Sequence, residues 1–182
     1  MKQEIRRRIR ELSKSYSGLE KSKKSGIIKA RLFNEEEFKK AKVVMFYASL
    51  ADEVDTHSMI DEALEMGKRV CVPVILKEDK KLIASEIKDS VMDLESQHFG
   101  TLEPKKGRMR EIPLEDIDLV IVPGVAFDKK NLRLGRGHGY YDRFLCSLPR
   151  RTKTIGLAFD FQVVEDLPHE PHDIPVSKII TA

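Results

Sequence analysis

DLVIVPG, residues 118–124, overlaps PGVAFDKKNLRLGRGHGYYDRFL, residues 123–145, and the two together set the architecture of this 182-residue chain. Asp118 to Gly124 make the most apolar strand in the sequence. A glycine-rich loop follows, with Gly135, Gly137 and Gly139 at alternate positions, and YYDRFLCSL then reads as a helix. Alternating glycines before a helix let backbone N–H groups and the helix amino end approach an anion closely. Arg133 and Arg136 supply the charge a polyphosphate needs. Asp142, one turn into the helix, is placed to hold magnesium beside phosphate oxygens. The spacing is neither G-x-G-x-x-G nor G-x-x-x-x-G-K-[ST], so the dinucleotide and Walker fingerprints do not apply. The glycines alone would fit a tight turn with surface arginines; the combination of Arg, Gly, Tyr-Tyr and Asp argues against it.

Helices and strands alternate on both sides of this stretch. Ile5, Ile9, Leu12 and Tyr16 recur at helical spacing, which predicts an amphipathic helix over residues 2–16 with arginines on its other face. A second helix is expected over Leu19 to Lys40. VVMFYA (Val43 to Ala48) is a short, continuous, β-rich run, as expected of a parallel strand covered on both faces. Thr56 is placed to cap a helix with Met59, Ile60, Ala63 and Leu64 inward, closed by Gly67. RVCVPVI (69–75), Leu82 to Ile87, TKTIGLAF (152–159) and SKII (177–180) complete the strands, with a loop-rich stretch through Gly107. The alternation implies an α/β fold: a single-domain, three-layer, doubly wound sandwich with a mainly parallel sheet, spanning residues 1–182. A basic helical segment, about residues 1–41, packs on it, and ligands are expected beyond the carboxyl ends of the strands.

With 41% hydrophobic and 35% charged residues, the chain has a heavily charged surface around an ordinary interior, and disorder throughout is excluded. No apolar run approaches the roughly 18 residues a membrane helix needs. The amino terminus, MKQEIRRRIRELSK, is basic but lacks the apolar core and cleavage site of a secretory signal. A cytoplasmic monomer with no membrane partner is expected. Cys71 and Cys146 form no CxxC pair and are expected as buried, reduced thiols; His57, His169 and His172 make no zinc pattern with them. Residues 1–31 hold eleven Lys and Arg against three acids, a net +8, while the rest of the chain carries −5. Such asymmetry points to an anionic partner, either nucleic acid or a phosphorylated or polycarboxylate small molecule, and a solvated helix face is the plainer account. Tyr16 is the only aromatic residue before Phe33, so aromatics do not interleave with the cations and no nucleic-acid partner is expected.

The stretch from Pro123 resembles the signature of the 5-formyltetrahydrofolate cyclo-ligases, also called methenyltetrahydrofolate synthetases, PGxxFDxxGxRLGxGxGYYDxxL. Pro123, Gly124, Phe127, Asp128, Arg133, Leu134, Gly135, Gly137, Gly139, Tyr140, Tyr141 and Asp142 match it in spacing. The family's early Lys-x-x-x-Arg resembles Lys2 and Arg6, and YASLADEVDT, GTLEP (100–104), GLAFDFQ, PHD and IIT resemble further family segments along the chain. Asn131 stands where the family has Gly, a mild change because Asn tolerates a left-handed backbone. His138 occupies a variable position, where positive charge would depend on pH. The family's late Val-Asp reads Val176-Ser177, which leaves Asp142 as the metal ligand carried over, with Asp173 as a substitute for the missing acid.

The resemblance implies closure of 5-formyltetrahydrofolate to 5,10-methenyltetrahydrofolate with ATP and Mg2+, giving ADP and phosphate through phosphorylation of the formyl oxygen. It assigns nucleotide binding to Lys2, Arg6, Arg133, Leu134, Gly135, Arg136, Gly137, His138, Gly139, Tyr140 and Tyr141. Substrate binding would fall to Tyr47, Ala48, Glu53 and Phe99 together with Arg136, Gly137, His138, Gly139 and Tyr140. Arg133, Arg136 and Tyr140 would serve the phosphoryl transfer, and Asp142 the magnesium. Polyglutamylated folate is the expected substrate form. A sugar-phosphate isomerase or a coenzyme A-binding protein of the same architecture is the nearer rival, and it would have no reason to use ATP.

Overall fold

The computed structural model describes residues 1–96, 102–170 and 173–182. Three helices come first: α1 (Lys2–Ser15), α2 (Gly18–Asn34) and α3 (Glu36–Lys40). After them come β1 (Val43–Met45), α4 (His57–Glu65), β2 (Arg69–Leu76), β3 (Lys81–Ile87), the single turn α5 (Ser90–Asp93), β4 (Leu94–Ser96) and β5 (Leu102–Pro104). The second half holds β6 (Leu119–Val122), β7 (Ala126–Asp128), β8 (Arg133–Leu134), α6 (Tyr140–Ser147), β9 (Lys153–Ala158), β10 (Val163–Val164) and β11 (Lys178–Thr181). No helix among the described residues is long and apolar enough to cross a membrane.

The main sheet has the order β11-β9-β6-β1-β2-β3, parallel at every pairing except β2 with β3. Successive residues on its strands feed two separate cores. Val44, Val70, Val72, Leu119, Ile121, Ile155 and Leu157 meet Ile28, Leu32, Phe38, Met59 and Ile60 from α2, α3 and α4. Val43, Met45, Cys71, Val120, Val122 and Ala158 meet Phe127, Phe144 and Leu145 from β7 and α6. Both strand faces are covered, which is why these strands read as unbroken apolar runs. The α/β sandwich of three layers follows.

From β1 the chain steps outward through β2 and β3, then returns to β6 on the other side of β1 and steps outward through β9 and β11. Crossovers between parallel strands keep one hand. Reversing the direction of travel therefore puts α4 and α6 on opposite faces and opens a crevice between the loops after β1 and β6.

Local readings are corrected in four places. The helix expected over Leu19 to Lys40 breaks at Glu35, whose backbone is extended (φ −67°, ψ 137°). Glu35, Glu36 and Glu37 oppose the dipole at the end of α2 but suit the start of α3, and Lys178 pairs with Glu35 and Glu37 there. The strand expected through Ala48 ends at Met45, because Phe46 makes the last bond to β2, donating to Cys71 O at 2.9 Å. Thr56 precedes α4 without capping it; its hydroxyl donates to Tyr47 O and accepts from Ser49 N (3.1 Å), cinching the loop after β1. Cys71 is buried as expected, but Cys146 is exposed on the outer side of α6.

The β4–β5 hairpin is tied down by one buried acid. Asp93, 2% exposed, pairs with Arg110 at 2.8 Å and accepts from Lys88 N at 2.8 Å. Arg110, helped by backbone N–H groups and opposed by burial, holds the carboxyl at about 2 against an ordinary 3.8. A lowered carboxyl pKa stabilises the fold above its unfolded value, and that stability disappears as pH falls through the folded value. Asp93→Asn is thus expected to cost about 2 kcal/mol at pH 7. Urea denaturation should show the gap from wild type closing between about pH 5 and pH 2, and a gap independent of pH would refute the assignment.

Candidate active site

β1 pairs with β2 only as far as Cys71, yet β2 continues to Leu76 against β3. Pro73 lies in the stretch without a partner on the β1 side, where its missing N–H is harmless. β6 stops at Val122 on the other flank. The space between is a cleft of about 200 Å³. Pro73, Ile75, Leu82 and Leu102 make its apolar wall, and Tyr47, Ala48, Leu50 and Glu53 enter from the loop after β1. Pro123 to Val125 close a third side, and Arg133 with Gly135 to Asp142 close the fourth.

The last wall is built on backbone that few residues tolerate. Gly137 (φ +109°) and Gly139 (φ +67°) lie in the left-handed region, with Gly139 capping α6. Gly135 packs so closely under Arg133 that a Cβ there would sit 2.6 Å from Nη1. Asn131 adopts φ +63°, the conformation expected where the family signature has glycine. Phe127, fully buried, lies between Gly124 and Gly156, where an added Cβ at either would come within 2.6 Å of its ring.

Arg133 is the buried cation of the site, its side chain 5% exposed. It pairs with Asp142, donates to Pro123 O at 3.3 Å and lies over the Tyr141 ring at 5.5 Å. Arg133 Nε and the Tyr141 hydroxyl are buried without a hydrogen-bond partner among the described residues. Buried polar groups are rarely left so, and both belong to residues that line the cleft. Burial, reinforced by Glu53, pushes the Tyr47 and Tyr141 phenols up, so both stay protonated donors at neutral pH. Tyr47 already donates to Val54 O at 3.1 Å.

Arg136 is half-exposed and joins two walls. It donates to Glu53 Oε1 (2.9 Å from Nη2) and Asp52 Oδ1 (2.9 Å), while Glu53 Oε2 accepts from Leu50 N at 3.0 Å. Burial opposes the Arg136 charge, but Glu53 and Asp52 outweigh it and hold its pKa above the ordinary value. Arg6 reaches the loop from α1, donating from Nε to Gly135 O at 2.8 Å.

The cleft thus brings together Tyr47, Ala48, Glu53, Arg133, Arg136, His138, Tyr140, Tyr141, Asp142 and the three loop glycines. Leu134 lies beneath the loop, buried with Ile9 of α1. Lys2 does not line the cleft; it pairs with Asp173 at 3.2 Å and Glu170 at 3.5 Å. Asp173 is correspondingly engaged with Lys2 rather than set beside Asp142. Ser177, which stands where the family signature has the late acid, bonds Thr154 at the amino ends of β9 and β11, the far end of the sheet. Phe99 lies outside the described residues. Sequence reading missed Asp52 and the apolar wall; Pro73 within a strand is the sequence signal that could have revealed that wall.

All 182 residues match the model of the 5-formyltetrahydrofolate cyclo-ligase family. A curated 5-formyltetrahydrofolate cyclo-ligase from Haemophilus influenzae is 32% identical over 98% of this chain and 96% of that protein. The solved 5,10-methenyltetrahydrofolate synthetase of Aquifex aeolicus superposes with a TM-score of 0.85 at 33% identity, covering 99% of this chain and 89% of that one. The Mycoplasma pneumoniae synthetase gives 0.78 at 26% identity, covering 98% and 97%. Sequence and overall fold agree, and the chain is an enzyme that belongs to the 5-formyltetrahydrofolate cyclo-ligase family.

Proposed function

We propose that the chain catalyses the ATP- and magnesium-dependent cyclisation of 5-formyltetrahydrofolate to 5,10-methenyltetrahydrofolate, releasing ADP and phosphate. The observation that carries this reading, in a chain of this family, is a single cleft pairing an apolar wall with a glycine loop that bears Arg133 and Arg136. The wall suits a fused ring system, and the loop suits a polyphosphate.

An amide oxygen is a poor leaving group, so it must be activated before the ring can close. In this reading the formyl oxygen attacks the γ-phosphorus and displaces ADP, forming an iminium phosphate. The neighbouring folate amine then attacks the iminium carbon and loses its proton, and phosphate departs with the former formyl oxygen. Arg133 and Arg136 offset charge on the transferring phosphoryl group, and Tyr140 and the loop N–H groups orient it. Leu134 to Tyr141 with Arg6 hold the nucleotide, and Lys2, one helical turn from Arg6, extends that row if it exchanges Asp173 for phosphate. Glu53 accepts from the pterin's amino and ring N–H groups, with Tyr47 and Ala48 bordering the ring. No cluster of three or more metal-ligating side chains occurs among the described residues. Asp142, the carboxylate on the glycine-loop side of the cleft, suits magnesium, which keeps waters and substrate phosphates as its other ligands. Magnesium would neutralise phosphate charge there. A cytoplasmic monomer belongs to the same reading.

Methenyltetrahydrofolate absorbance should rise only when protein, 5-formyltetrahydrofolate, ATP and magnesium are all present; full turnover without ATP would overturn the proposal. Asp142→Asn leaves Arg133 buried without its carboxylate. It should lower ligand-free stability by about 1–3 kcal/mol in urea denaturation and raise the magnesium needed for half-maximal rate about tenfold or more. A variant with normal magnesium dependence would remove Asp142 from the metal.

Arg10 flanks a smaller cavity that shares Glu53, Gly124, Val125 and Arg136 with the cleft, so the cationic face of α1 stands at the site's edge. Exposed charges are screened over roughly 8–10 Å and act only in number. A polyglutamylated substrate should therefore show a lower KM than the monoglutamate at low ionic strength. The gap should shrink with added salt and with Arg7, Arg8, Arg10 and Lys14 neutralised together. If neither change moves the gap, α1 is only a solvated face.

A further inference from the structure

β6 leaves its ladder after Val122, the residue paired with Gly156 of β9, and Val125 is next held against β8, donating to Leu134 O at 2.8 Å. Between those anchors Gly124 and Val125 turn the chain through the wall of the cleft. Their carbonyls are served by one side chain. Gln162, 4% exposed, ends the short turn after β9 and donates from Nε2 to Gly124 O at 3.0 Å and Val125 O at 3.2 Å. Its Oε1 accepts from Phe159 N at 2.8 Å. The amide orientation is forced: Phe159 N–H can only donate and the two carbonyls can only accept. Gln162 does not line the cleft itself but lines the smaller cavity beside it with Glu53 and Arg136, and its two donated hydrogen bonds reach the cleft wall through the bend.

We propose that Gln162 is a positioning residue: by bonding both carbonyls of the Gly124–Val125 bend to the end of β9, it sets the wall against which Arg133 is held. The next carbonyl upstream, Pro123 O, accepts from Arg133 Nη1, and Arg133 in turn pairs with Asp142. A bend released from Gln162 shifts Pro123 O and, with it, the guanidinium and carboxylate assigned to phosphoryl transfer. The inference rests on that functional reading for its kinetic consequence and on the hydrogen bonds alone for its structural one.

Gln162→Glu tests it, because it keeps the size and the acceptor while replacing the donor. Ionised, the new carboxylate would face two carbonyl oxygens in a buried place, which disfavours the charged form; protonated, it restores one donor. At pH 8 the variant should lose kcat by about 10-fold to 100-fold with KM for ATP within about twofold of wild type. The ratio of variant to wild-type kcat should recover as pH is lowered to 6. Gln162→Leu, which can neither donate nor titrate, should show the same kcat loss at both pH values. Amide exchange at Val125 should be faster than wild type in both variants at pH 8, and in Gln162→Glu the excess should shrink at pH 6. Unchanged kcat, or a loss fully matched by a lower folded fraction with no recovery at pH 6, overturns the proposal. If the wild-type protein makes no product, the functional reading fails instead, and exchange at Val125 still decides the role of Gln162. Should Gln162→Glu not fold, the kinetics and exchange of Gln162→Leu decide it.

Discussion

β1 loses its partners after Met45 because the strands on either side of it are entered from opposite directions, and that divergence is the constraint on which the site depends. A longer ladder would carry backbone hydrogen bonds through the space the cleft occupies. Ending it early leaves polar groups to be satisfied by other means. The loop after β1 does so with Thr56 and Ser49, and the bend after β6 does so with Gln162. The apolar wall follows as well, since β2 and β3 run on past β1 and present Pro73, Ile75 and Leu82 where a neighbouring strand would have lain.

Charge in the cleft is arranged as two ion pairs of different character. In the pair of Arg133 with Asp142 the guanidinium is largely dehydrated, so leaving it without its carboxylate would be costly. Arg136 with Glu53 and Asp52 is wetter and joins mobile-length side chains across the cleft mouth. A buried pair fixes geometry, while a half-exposed one can trade one anion for another at little net cost. The loop therefore carries its positive charge in a compensated state, and under the proposed function it would have two ways of meeting a polyphosphate, one rigid and one adaptable.

Much of this was legible in the sequence because it is local. The continuous apolar strands, the glycine loop, the helix beginning at Tyr140 and the left-handed residue at Asn131 each depend on neighbours in the chain, and each was read correctly. Ends of elements were harder. Strand β1 is shorter than its apolar run because pairing, not propensity, stops it, and the helix over Leu19 to Lys40 divides where Glu35 and Glu37 meet Lys178 from the other end of the sequence. Asp52 and the apolar wall were missed for a related reason: their role comes from which strands stop pairing. Lys2 and Asp173 illustrate the limit most plainly, since two residues considered for separate ligands are bonded to each other across 171 positions.

The docking of α1 has a consequence for how the protein is made. Arg6 bonds Gly135, and Ile9 is buried with Ala126, Leu134 and Leu167. α1 is therefore made more than a hundred residues before the segments it packs against. Synthesis proceeds at about 5–20 residues per second, so this amphipathic, strongly cationic helix spends on the order of ten seconds or more with its apolar stripe uncovered. During that interval the charged face opposite the stripe favours solution over self-association, a duty separate from any it has in the finished fold.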